Sequence, residues 1–359
     1  MVSGHSTVID SSSYQTSTMG EFIDSAQNPN LPSKSSNVEF SCMAPLDRNF
    51  KAEGFSESAR NLLNASWRKG TRKDYITKFE KYNSWCGEKQ IDPYTATLNQ
   101  VADFLAYLFE LGLQYRTISG YRSMLSAVLP PIENYQVGQH PYISRLIKGV
   151  FHSRPPKVNL LPEWDLEMVL KTLENEPFEP LSDASLKFVT FKTVFLITIT
   201  TFRRCSDFQS LRIDKESMRV QGKGINFIRH GLSKQDRQSH FGTKIHVPHF
   251  TEREFLDPKR SITIYLDETK EIRLKLDASD KVKLFLALKE PNKPVTAVTI
   301  SSWIVQTIRS AYSNDKLKVK GHSTRAITPS WALYKGASTK SILDAADWSS
   351  ESTFVRFYL

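Results

Sequence analysis

The most informative stretch of the chain is residues 321–359, which read GHSTRAITPSWALYKGASTKSILDAADWSSESTFVRFYL. His322 and Arg325 stand three residues apart in a helical pattern, and this spacing puts an imidazole and a guanidinium on one helix face. Two hydrogen-bond donors that converge on one anion suit a phosphate. Trp348 follows, and after a Ser/Thr-rich turn comes Tyr358, whose phenol is either a packing aromatic or a nucleophile. An HxxR pair also arises as a helix cap beside a surface charge. Residues elsewhere in the chain must therefore show whether this pair belongs to a phosphate-binding site.

The composition is that of a soluble, globular protein with a polyanionic partner. The chain has 359 residues, 40% of them hydrophobic, which is enough for two domains with their own cores. Its formal net charge is +10 and its pI is about 9.3. Acidic residues outnumber basic ones in residues 1–55, so the positive charge belongs to the remainder. That distribution favours nucleic acid or an anionic membrane surface as the partner.

The cysteines and the hydropathy pattern exclude several classes of protein. Cys42, Cys86 and Cys205 are scattered without pairing or metal-ligand spacing, which indicates a reducing intracellular compartment and no zinc site. The sequence has no apolar run of about 18 residues and no signal-peptide pattern at its start, so we expect neither a membrane span nor secretion. It also has no Walker loop, no GxGxxG after a strand and no paired-carboxylate metal motif. We therefore expect phosphate chemistry without a metal, a nucleotide or another cofactor.

Residues 1–156 divide into a leader and a helical segment. Residues 1–55 are rich in Ser, Thr, Asn and Pro and show little periodicity, so we expect disorder there. Residues 56–156 show amphipathic helical patterns at 67–89, 93–111, 116–128 and 142–152. The stretch SRPPK at 153–157 predicts an interdomain linker.

The polar faces of these helices carry basic, hydroxyl and tyrosyl side chains that suit contacts with phosphates. Solvated helix faces have the same composition, so each residue carries little weight by itself. The candidates are Arg72, Lys73, Arg116, Thr117, Tyr121, Arg122, Arg145 and Lys148.

A second segment, residues 158–359, begins with helical patterns at 166–173 and 186–201. The apolar run at 186–201 leads directly into TFRRCSDFQSL, and arginines at the end of a buried helix need counter-anions. Asp207 is a candidate partner for one of Arg203 and Arg204, which leaves the other for a ligand.

Two short strands are expected next, at 225–229 and 244–247, and Lys234 lies in the turn between them. Pro258 opens a region of mixed character. Residues 282–288 suit either a strand or the start of a helix, and a helix at 298–312 leads to His322.

In chain order, one residue set resembles the motif Arg…Lys…His-x-x-Arg…His/Trp…Tyr of the tyrosine recombinase (phage integrase) superfamily. The set is Arg204, Lys234, His322, Arg325, Trp348 and Tyr358. The sequences TFRRCSDFQSL, HSTRAITPSWA and ILDAADWSSESTFVRFYL look like the eukaryotic mobile-element branch, the DIRS-like and Crypton-like recombinases. The resemblance covers the chain from about residue 60 to its end, and the C-terminal stretch is its most specific part.

The resemblance implies a mainly α fold with a small β-sheet. Residues 56–156 correspond to a helical core-binding (SAM-like) domain, and residues 158–359 to an α+β DNA breaking-rejoining catalytic domain. Together they would clamp double-stranded DNA. The resemblance also implies self-assembly on DNA as a dimer or tetramer, no membrane partner, and a location in the nucleus or in nucleus and cytoplasm.

The family roles carry over to matching positions. Tyr358 would attack the scissile phosphate, giving a 3′-phosphotyrosine and a free 5′-hydroxyl. Arg204 and Arg325 would bind the non-bridging oxygens, while His322 and Trp348 complete the pocket. Lys234 would protonate the leaving 5′-oxygen. The implied activity is site-specific DNA recombination or integration by a mobile-element enzyme, without metal or ATP.

The spacing of the motif departs from the family pattern in two places. Tyr358 lies ten residues after Trp348, where nine is common and Phe357 stands. Pro329 lies four residues after Arg325 and predicts a kink, or a helix that restarts with Thr328 as its cap.

Two motif positions have competitors. Lys223, in a Gly-Lys-Gly, competes with Lys234, which we prefer because it lies between two strands. Arg203 competes with Arg204, which we prefer because Ser206 and Asp207 follow it in the family's register. Two other functions stay open: a domesticated DNA-binding protein that keeps the fold without turnover, and a type IB topoisomerase, which shares the chemistry.

Overall fold

The structure, a computed structural model, describes residues 47, 50–157, 164–234, 236–242 and 244–351. The chain divides into two units, Met1–Lys157 and Val158–Leu359, and each is described by itself. The described residues are mainly α-helical, with one three-stranded sheet in the second unit, which confirms the predicted fold class. Tyr358 and most of the predicted leader lie outside the described residues.

The described part of the first unit contains five complete α-helices and a 3-10 turn, Val137–Gln139. The helices are α1 Glu57–Ala65, α2 Lys69–Glu88, α3 Leu98–Glu110, α4 Tyr115–Val128 and α5 Pro141–Ser153. Capping residues determine where these helices begin and end, as α3 shows. At the start of α3, the Thr97 hydroxyl accepts a bond from the Gln100 amide, and the Gln100 side chain accepts one from the Thr97 amide. After α3, Gly112 takes a φ of +83°, a conformation that favours glycine. The four helices predicted from periodicity are all present.

An aromatic cluster forms the core of the first unit. The Phe104 ring of α3 meets Tyr82 and Trp85 of α2 at centroid distances of 4.9 and 5.3 Å. Tyr121 of α4 packs against the same ring at 5.7 Å. Aromatic pairs of this kind each add about 0.5–1.5 kcal/mol beyond the burial of apolar area. The core therefore fixes how α2, α3 and α4 present their polar faces.

Nine complete α-helices and two short 3-10 turns lie in the described part of the second unit. The helices are α6 Leu166–Leu173, α7 Leu186–Thr201, α8 Cys205–Gln209, α9 Pro258–Glu268, α10 Lys270–Leu274, α11 Ala278–Lys281, α12 Ala297–Ala311, α13 Thr324–Tyr334 and α14 Thr339–Ala346. Helix α7 is at the centre: its residues from Val189 to Thr198 are all buried, and it contacts α9, α12, α13, α14 and β3. This buried stretch can be apolar on all sides because neighbouring elements cover it.

The sheet is antiparallel, in the order β1–β2–β3, with β1 Met218–Gln221, β2 Gly224–Ile228 and β3 Lys244–Pro248. In its register, Ile225 of β2 lies opposite Val220 and opposite Val247. Strands β2 and β3 confirm the two that the sequence predicts. Strand β1 was not predicted, because three of its four residues are exposed and carry no alternating pattern.

Two regions left open by the sequence are settled by the structure. Pro258 begins α9, where the Asp257 carboxylate accepts bonds from the amides of Lys259 and Arg260. Residues 282–288 form neither a regular strand nor a helix: they make isolated bridges, Arg212 to Lys283 and Leu286 to Pro294. Single bridges satisfy the backbone there without extending into a ladder.

Candidate functional site

Arg204 is held at the junction between α7 and α8. After α7 the chain turns sharply at Phe202, which has a φ of 53°. The Asp207 carboxylate then accepts a 3.1 Å bond from the Arg204 amide, and the Asp207 amide donates a 2.8 Å bond to the Arg204 carbonyl. Asp207 is buried, so this reciprocal cap is shielded from water. The backbone of the half-buried Arg204 is therefore fixed.

The guanidinium of Arg203, the competing arginine, is bound by groups of the protein itself. Its buried guanidinium donates to the carbonyls of Ala345 at 2.8 Å and Lys244 at 3.0 Å, and it lies 2.9 Å from the Asp347 carboxylate. Burial lowers the pKa of Arg203, while the charges of Asp347 and Asp207 oppose that shift. Its ion-pair partner is thus Asp347, whereas the predicted partner, Asp207, binds the Arg204 amide. This arrangement favours Arg204 over Arg203 for a ligand.

Lys234 lies in the loop of residues 229–243 that joins β2 to β3, and its side chain is exposed. A buried ion pair braces the loop: Arg229 donates to Asp236 at 2.7 Å and to the Gly242 carbonyl at 2.9 Å. Asp236 also accepts a 2.7 Å bond from the amide of Ser233, the residue before Lys234. Burial raises the pKa of Asp236, but the bonds from Ser233 and Arg229 outweigh it and leave the pKa lowered.

The competing lysine, Lys223, lies in a different turn, between β1 and β2. There its carbonyl accepts a 3.1 Å bond from the His249 amide, and its side chain is exposed. The two lysines are therefore presented by opposite ends of strand β2.

His322 lies in a 3-10 turn, Gly321–Ser323, that leads into α13. A Cβ on Gly321 would come within 2.6 Å of the Ser301 hydroxyl and 2.8 Å of the Ser301 carbonyl, so only glycine fits against α12. The indole nitrogen of Trp164 donates a 2.8 Å bond to the Ser323 hydroxyl. These contacts fix the turn that carries His322.

Arg325 belongs to the first turn of α13 and is only 2% exposed. The helix continues through Pro329, contrary to the predicted restart, and the Thr328 hydroxyl donates a 2.7 Å bond back to the Thr324 carbonyl. Thr328 is thus inside the helix and is not a cap. Bonding of this type within a helix gives a side chain an acceptor in the preceding turn.

Three cations act on the His322 imidazole. Desolvation is the first cause that lowers the pKa of His322, even though the residue is exposed. The charges of Arg325, Arg204 and Lys234 follow, in that order. Exposed charges are largely screened beyond about 8 Å at physiological salt. The fold therefore brings these four predicted site residues, from three separate parts of the sequence, into one neighbourhood, and it favours a neutral imidazole there.

Trp348 is buried beside Arg325. The Ser338 hydroxyl caps α14 by accepting a 3.1 Å bond from the Ser341 amide, and after α14 the chain turns at Asp347, which has a φ of 57°. Trp348 then packs with Phe202, Ile342 and Ala346. The guanidinium carbon of Arg325 lies 5.2 Å from the centroid of the Trp348 ring, a cation–π distance.

Tyr358, the predicted nucleophile, and Phe357 lie outside the described residues. Among residues 47, 50–157, 164–234, 236–242 and 244–351, no group of three or more His, Cys, Asp or Glu side chains is arranged to hold a metal ion. The helices described in these ranges are all too short or too polar to cross a membrane.

The predicted phosphate-binding residues of the first unit lie on α2, α4 and α5. Arg72, Lys73, Arg116, Thr117, Arg145 and Lys148 are exposed, and Arg122 is half-buried.

The prediction that Tyr121 faces outward and contacts phosphate is wrong. It is only 7% exposed, and its ring lies in the aromatic core with the Lys78 ammonium 5.7 Å from the centroid. Burial is the first cause that raises the pKa of its phenol.

Four residues that the sequence motif does not include contribute to this region: Asp347, His240, Arg229 and Asp236. Asp347 directly precedes a motif residue, and Asp tolerates the left-handed conformation that a helix end often needs. That placement is a usable signal. The pairing of Arg229 with Asp236 has no comparable signal, because loop charges are usually solvated.

Comparison with known proteins gives the fold. No family model matches the sequence, and a search of curated proteins finds no match. Among solved structures, the chain is similar to a lambda integrase dimer bound to a COC' core site, with a TM-score of 0.50 and 15% identity over 89% of this chain and 77% of that one. It is also similar to the Tn1549 transposon integrase in complex with transposon right end DNA, with a TM-score of 0.52 and 14% identity over 89% of this chain and 95% of that one. The chain therefore has the fold of the tyrosine recombinases.

Proposed function

We propose that this protein is a site-specific DNA recombinase or integrase, which cleaves and rejoins DNA through a 3′-phosphotyrosine intermediate. The observation that carries the proposal is the grouping of Arg204, Lys234 and Arg325 around His322 within an integrase fold. Three cations beside one imidazole repel one another. Such a cluster is stabilised when an anion, such as a phosphodiester, binds to it.

Arg204 and Arg325 bind the scissile phosphate. Guanidinium groups donate in a planar fork that matches two oxygens of one phosphate. Negative charge grows on the non-bridging oxygens as the phosphorus becomes five-coordinate, so fixed cations stabilise the transition state more than the substrate. Trp348 supports this function by packing its ring against Arg325.

Three groups move the protons. The Tyr358 oxygen forms a bond to phosphorus, and the bond from phosphorus to the 5′-oxygen breaks. The neutral imidazole of His322 has a nitrogen lone pair that accepts the phenol proton. The Lys234 ammonium gives a proton to the 5′-oxygen. The reverse sequence rejoins the strand, because the phosphotyrosine bond conserves the energy of the phosphodiester.

The partner is double-stranded DNA, on which the protein assembles with further copies. The exposed basic residues of α2, α4 and α5 supply the phosphate contacts of the first unit. The lambda integrase structure is a dimer on a COC' core site, and the Tn1549 integrase structure is a complex with transposon end DNA, which supports both points. On the resemblance in sequence, we further propose a eukaryotic mobile-element origin and a nuclear or nucleocytoplasmic location.

The test uses supercoiled plasmids that carry a long randomised insert, incubated with the full chain in EDTA. SDS then traps DNA linked covalently to protein, and sequencing of that DNA identifies the cleaved sites. We expect linked DNA with the wild-type protein, and mass spectrometry should find the nucleotide on Tyr358. Tyr358→Phe should bind the same DNA and form no link. A link that survives Tyr358→Phe contradicts the assignment of the nucleophile.

A second candidate is a DNA-binding protein that keeps the fold without turnover. The ten-residue interval from Trp348 to Tyr358 favours it, because nine residues are common in the family that the sequence resembles. It predicts tight, salt-sensitive binding with no covalent link in the same assay. Strand transfer between two labelled duplexes separates a recombinase from a type IB topoisomerase, which relaxes DNA without joining two sites.

A further inference from the structure

Asp347 occupies a strained and buried position directly before Trp348. Its φ is 57°, a left-handed conformation that is costly for most residues with a Cβ and more tolerable for Asp. Its side chain is only 6% exposed. A buried carboxylate needs compensation, so its contacts show what this position does.

The Asp347 carboxylate joins two segments that are distant in sequence. One oxygen lies 2.9 Å from the Arg203 guanidinium, and the other lies 2.9 Å from Nε2 of His240. Because an ionised carboxylate only accepts hydrogen bonds, Nε2 of His240 is the donor. Arg203 directly precedes Arg204, and His240 belongs to the loop that carries Lys234.

The backbone packing around Asp347 is equally tight. A Cβ on Gly242 would lie 2.0 Å from Oδ1 of Asp347, so the loop can approach this close only with glycine at position 242. Gly242 also receives the bond from Arg229 that braces the base of the same loop. Arg203 further donates to the Lys244 carbonyl, at the start of β3, and to the Ala345 carbonyl, in α14.

We propose that Asp347 is a positioning residue, which holds the segments of Arg204, Lys234 and Trp348 in one mutual arrangement through Arg203, His240 and Gly242. The inference rests on the proposed function for its effect on cleavage. The physical link between the segments is independent of that function. Asp347 itself binds no substrate in this proposal.

The link predicts a specific change in local motion. Asp347→Asn keeps the size and the tolerance for a left-handed φ but removes the charge that offsets Arg203. His240→Ala removes the second arm at a residue whose side chain is 30% exposed, so it leaves the core packing in place. Both changes should speed amide hydrogen exchange in residues 229–242 by at least about tenfold, because opening of the loop no longer breaks the shared contact.

A steric variant and a matched control complete the first experiment. Gly242→Ala leaves every charge in place and should speed exchange in the same loop, since its Cβ cannot coexist with Asp347. Gly222→Ala is the control: it lies in the β1–β2 turn, its φ is not left-handed, and its Cβ meets nothing within 4 Å. The control should leave exchange in residues 229–242 unchanged. Unchanged loop exchange in both His240→Ala and Gly242→Ala overturns the proposed link, even if Asp347→Asn fails to fold.

The second experiment separates positioning from binding. With the plasmid pool, His240→Ala and Asp347→Asn should lower the single-turnover rate of covalent linkage by roughly 10²-fold, the cost of a small misplacement of catalytic groups. Their affinity for random-sequence duplex DNA should stay within about twofold, since neither residue is among the proposed phosphate contacts. His240→Asn, which retains a donor, should recover part of the lost rate.

The outcomes distinguish this inference from the proposed function. If the wild type forms no covalent link, the proposed function fails, and so does any effect of Asp347 on cleavage; the exchange experiment still supports or overturns the link between segments. If the wild type cleaves and loop exchange rises in the variants without loss of rate, the positioning role is overturned while the proposed function stands.

Discussion

The guanidinium of Arg325 faces the ring of Trp348, with its central carbon 5.2 Å from the ring centroid. The two residues come from α13 and from the turn after α14, 23 positions apart in the sequence. Both are buried, so the ring shields one face of the cation from water while the neighbouring positive charges remain. A cation that is desolvated on a rigid aromatic surface is oriented before any anion arrives, which is the condition for strong electrostatic catalysis.

Replacing Trp348 tests that support. Trp348→Ala should lower the free energy of unfolding by about 3–5 kcal/mol, because it removes a large buried ring. Trp348→His, which the motif also allows, should retain more cleavage than Trp348→Ala. Urea denaturation and the covalent-linkage assay measure the two effects. The control is Tyr334→Ala, at an aromatic side chain that is 85% exposed, and it should change stability by no more than about 0.5 kcal/mol. Equal losses at both positions would contradict the prediction.

The two adjacent arginines should respond differently to mutation. Arg203→Ala should lower the free energy of unfolding by about 3–5 kcal/mol, because it leaves the buried Asp347 carboxylate without its guanidinium partner and with only the His240 contact. Arg204→Ala should cost roughly 1 kcal/mol or less and should reduce cleavage by about 10²–10³-fold. Urea denaturation together with single-turnover cleavage separates the two. If Arg204→Ala cleaves at the wild-type rate, Arg204 is not a phosphate-binding residue.

Lys234 and Lys223 form a matched pair, since both are exposed lysines at the ends of β2. Lys234→Ala should slow cleavage by at least about 10²-fold, the usual contribution of a general acid. A substrate with sulfur in place of the 5′-bridging oxygen should restore the rate, because a thiolate leaves without protonation. Lys223→Ala should cleave normally with either substrate. Rescue by sulfur in Lys223→Ala and not in Lys234→Ala would reverse the assignment.

The environment of Glu179 allows a prediction of how the free energy of unfolding depends on pH. The buried Glu179 carboxylate accepts bonds from the Arg260 guanidinium and from the buried Lys192 ammonium. Burial raises the pKa of Glu179, but these bonds outweigh it and leave the pKa below its ordinary value of 4.5. At pH values above the ordinary pKa, which applies to the unfolded chain, the ionised carboxylate stabilises the folded state. This stabilisation is lost as the pH falls through the lowered pKa of the folded state. Urea denaturation at neutral pH and at acid pH measures the loss.

The variant Glu179→Gln tests whether this carboxylate is the cause. It should cost about 3–5 kcal/mol at neutral pH, because Lys192 is left buried without a counter-charge. Its stability should also fall less steeply than that of the wild type as the pH is lowered. Glu167→Gln, at an exposed carboxylate 3.3 Å from Lys335, is the control and should follow the wild-type curve.

The proposed phosphate contacts predict a salt effect. Arg145→Ala should weaken binding to random-sequence duplex DNA and should reduce the slope of log affinity against log salt by about 1, because one fewer counterion is released. Lys89, at the end of α2, is also an exposed basic residue but is outside the proposed set. Lys89→Ala should therefore leave the slope unchanged. Equal slopes for all three proteins would place the DNA on another surface.

Much of the fold was predictable because local patterns dominate in this chain. The helical periodicity of 67–152 and the apolar run of 186–201 identify helices that the structure confirms, and two of the three strands follow from short alternating segments. Where contacts with distant residues decide, the pattern was insufficient. The apolar residues of 282–288 are compatible with either a strand or a helix. The conformation of this segment is determined by its bridges to Arg212 and Pro294.

Pro329 and Tyr121 show the same limit in single residues. A proline inside a helix removes one backbone bond, but α13 is packed on α7, so the helix continues. Tyr121 has a polar group and an apolar ring, and its side of α4 faces Phe104 in the core. Sequence patterns describe the average preference of a residue type, whereas neighbouring elements determine the result.

The sequence by itself indicated the helices of 67–152 and 186–201, two of the three strands and the candidate residues, because these depend on the type and spacing of residues along the chain. Only the tertiary structure decided that Arg204, Lys234 and Arg325 act on one imidazole, that Arg203 pairs with Asp347, and that Lys234 and Lys223 lie at opposite ends of β2. Electrostatic interactions depend on distance through space, and neighbouring residues along a chain can point to different surroundings.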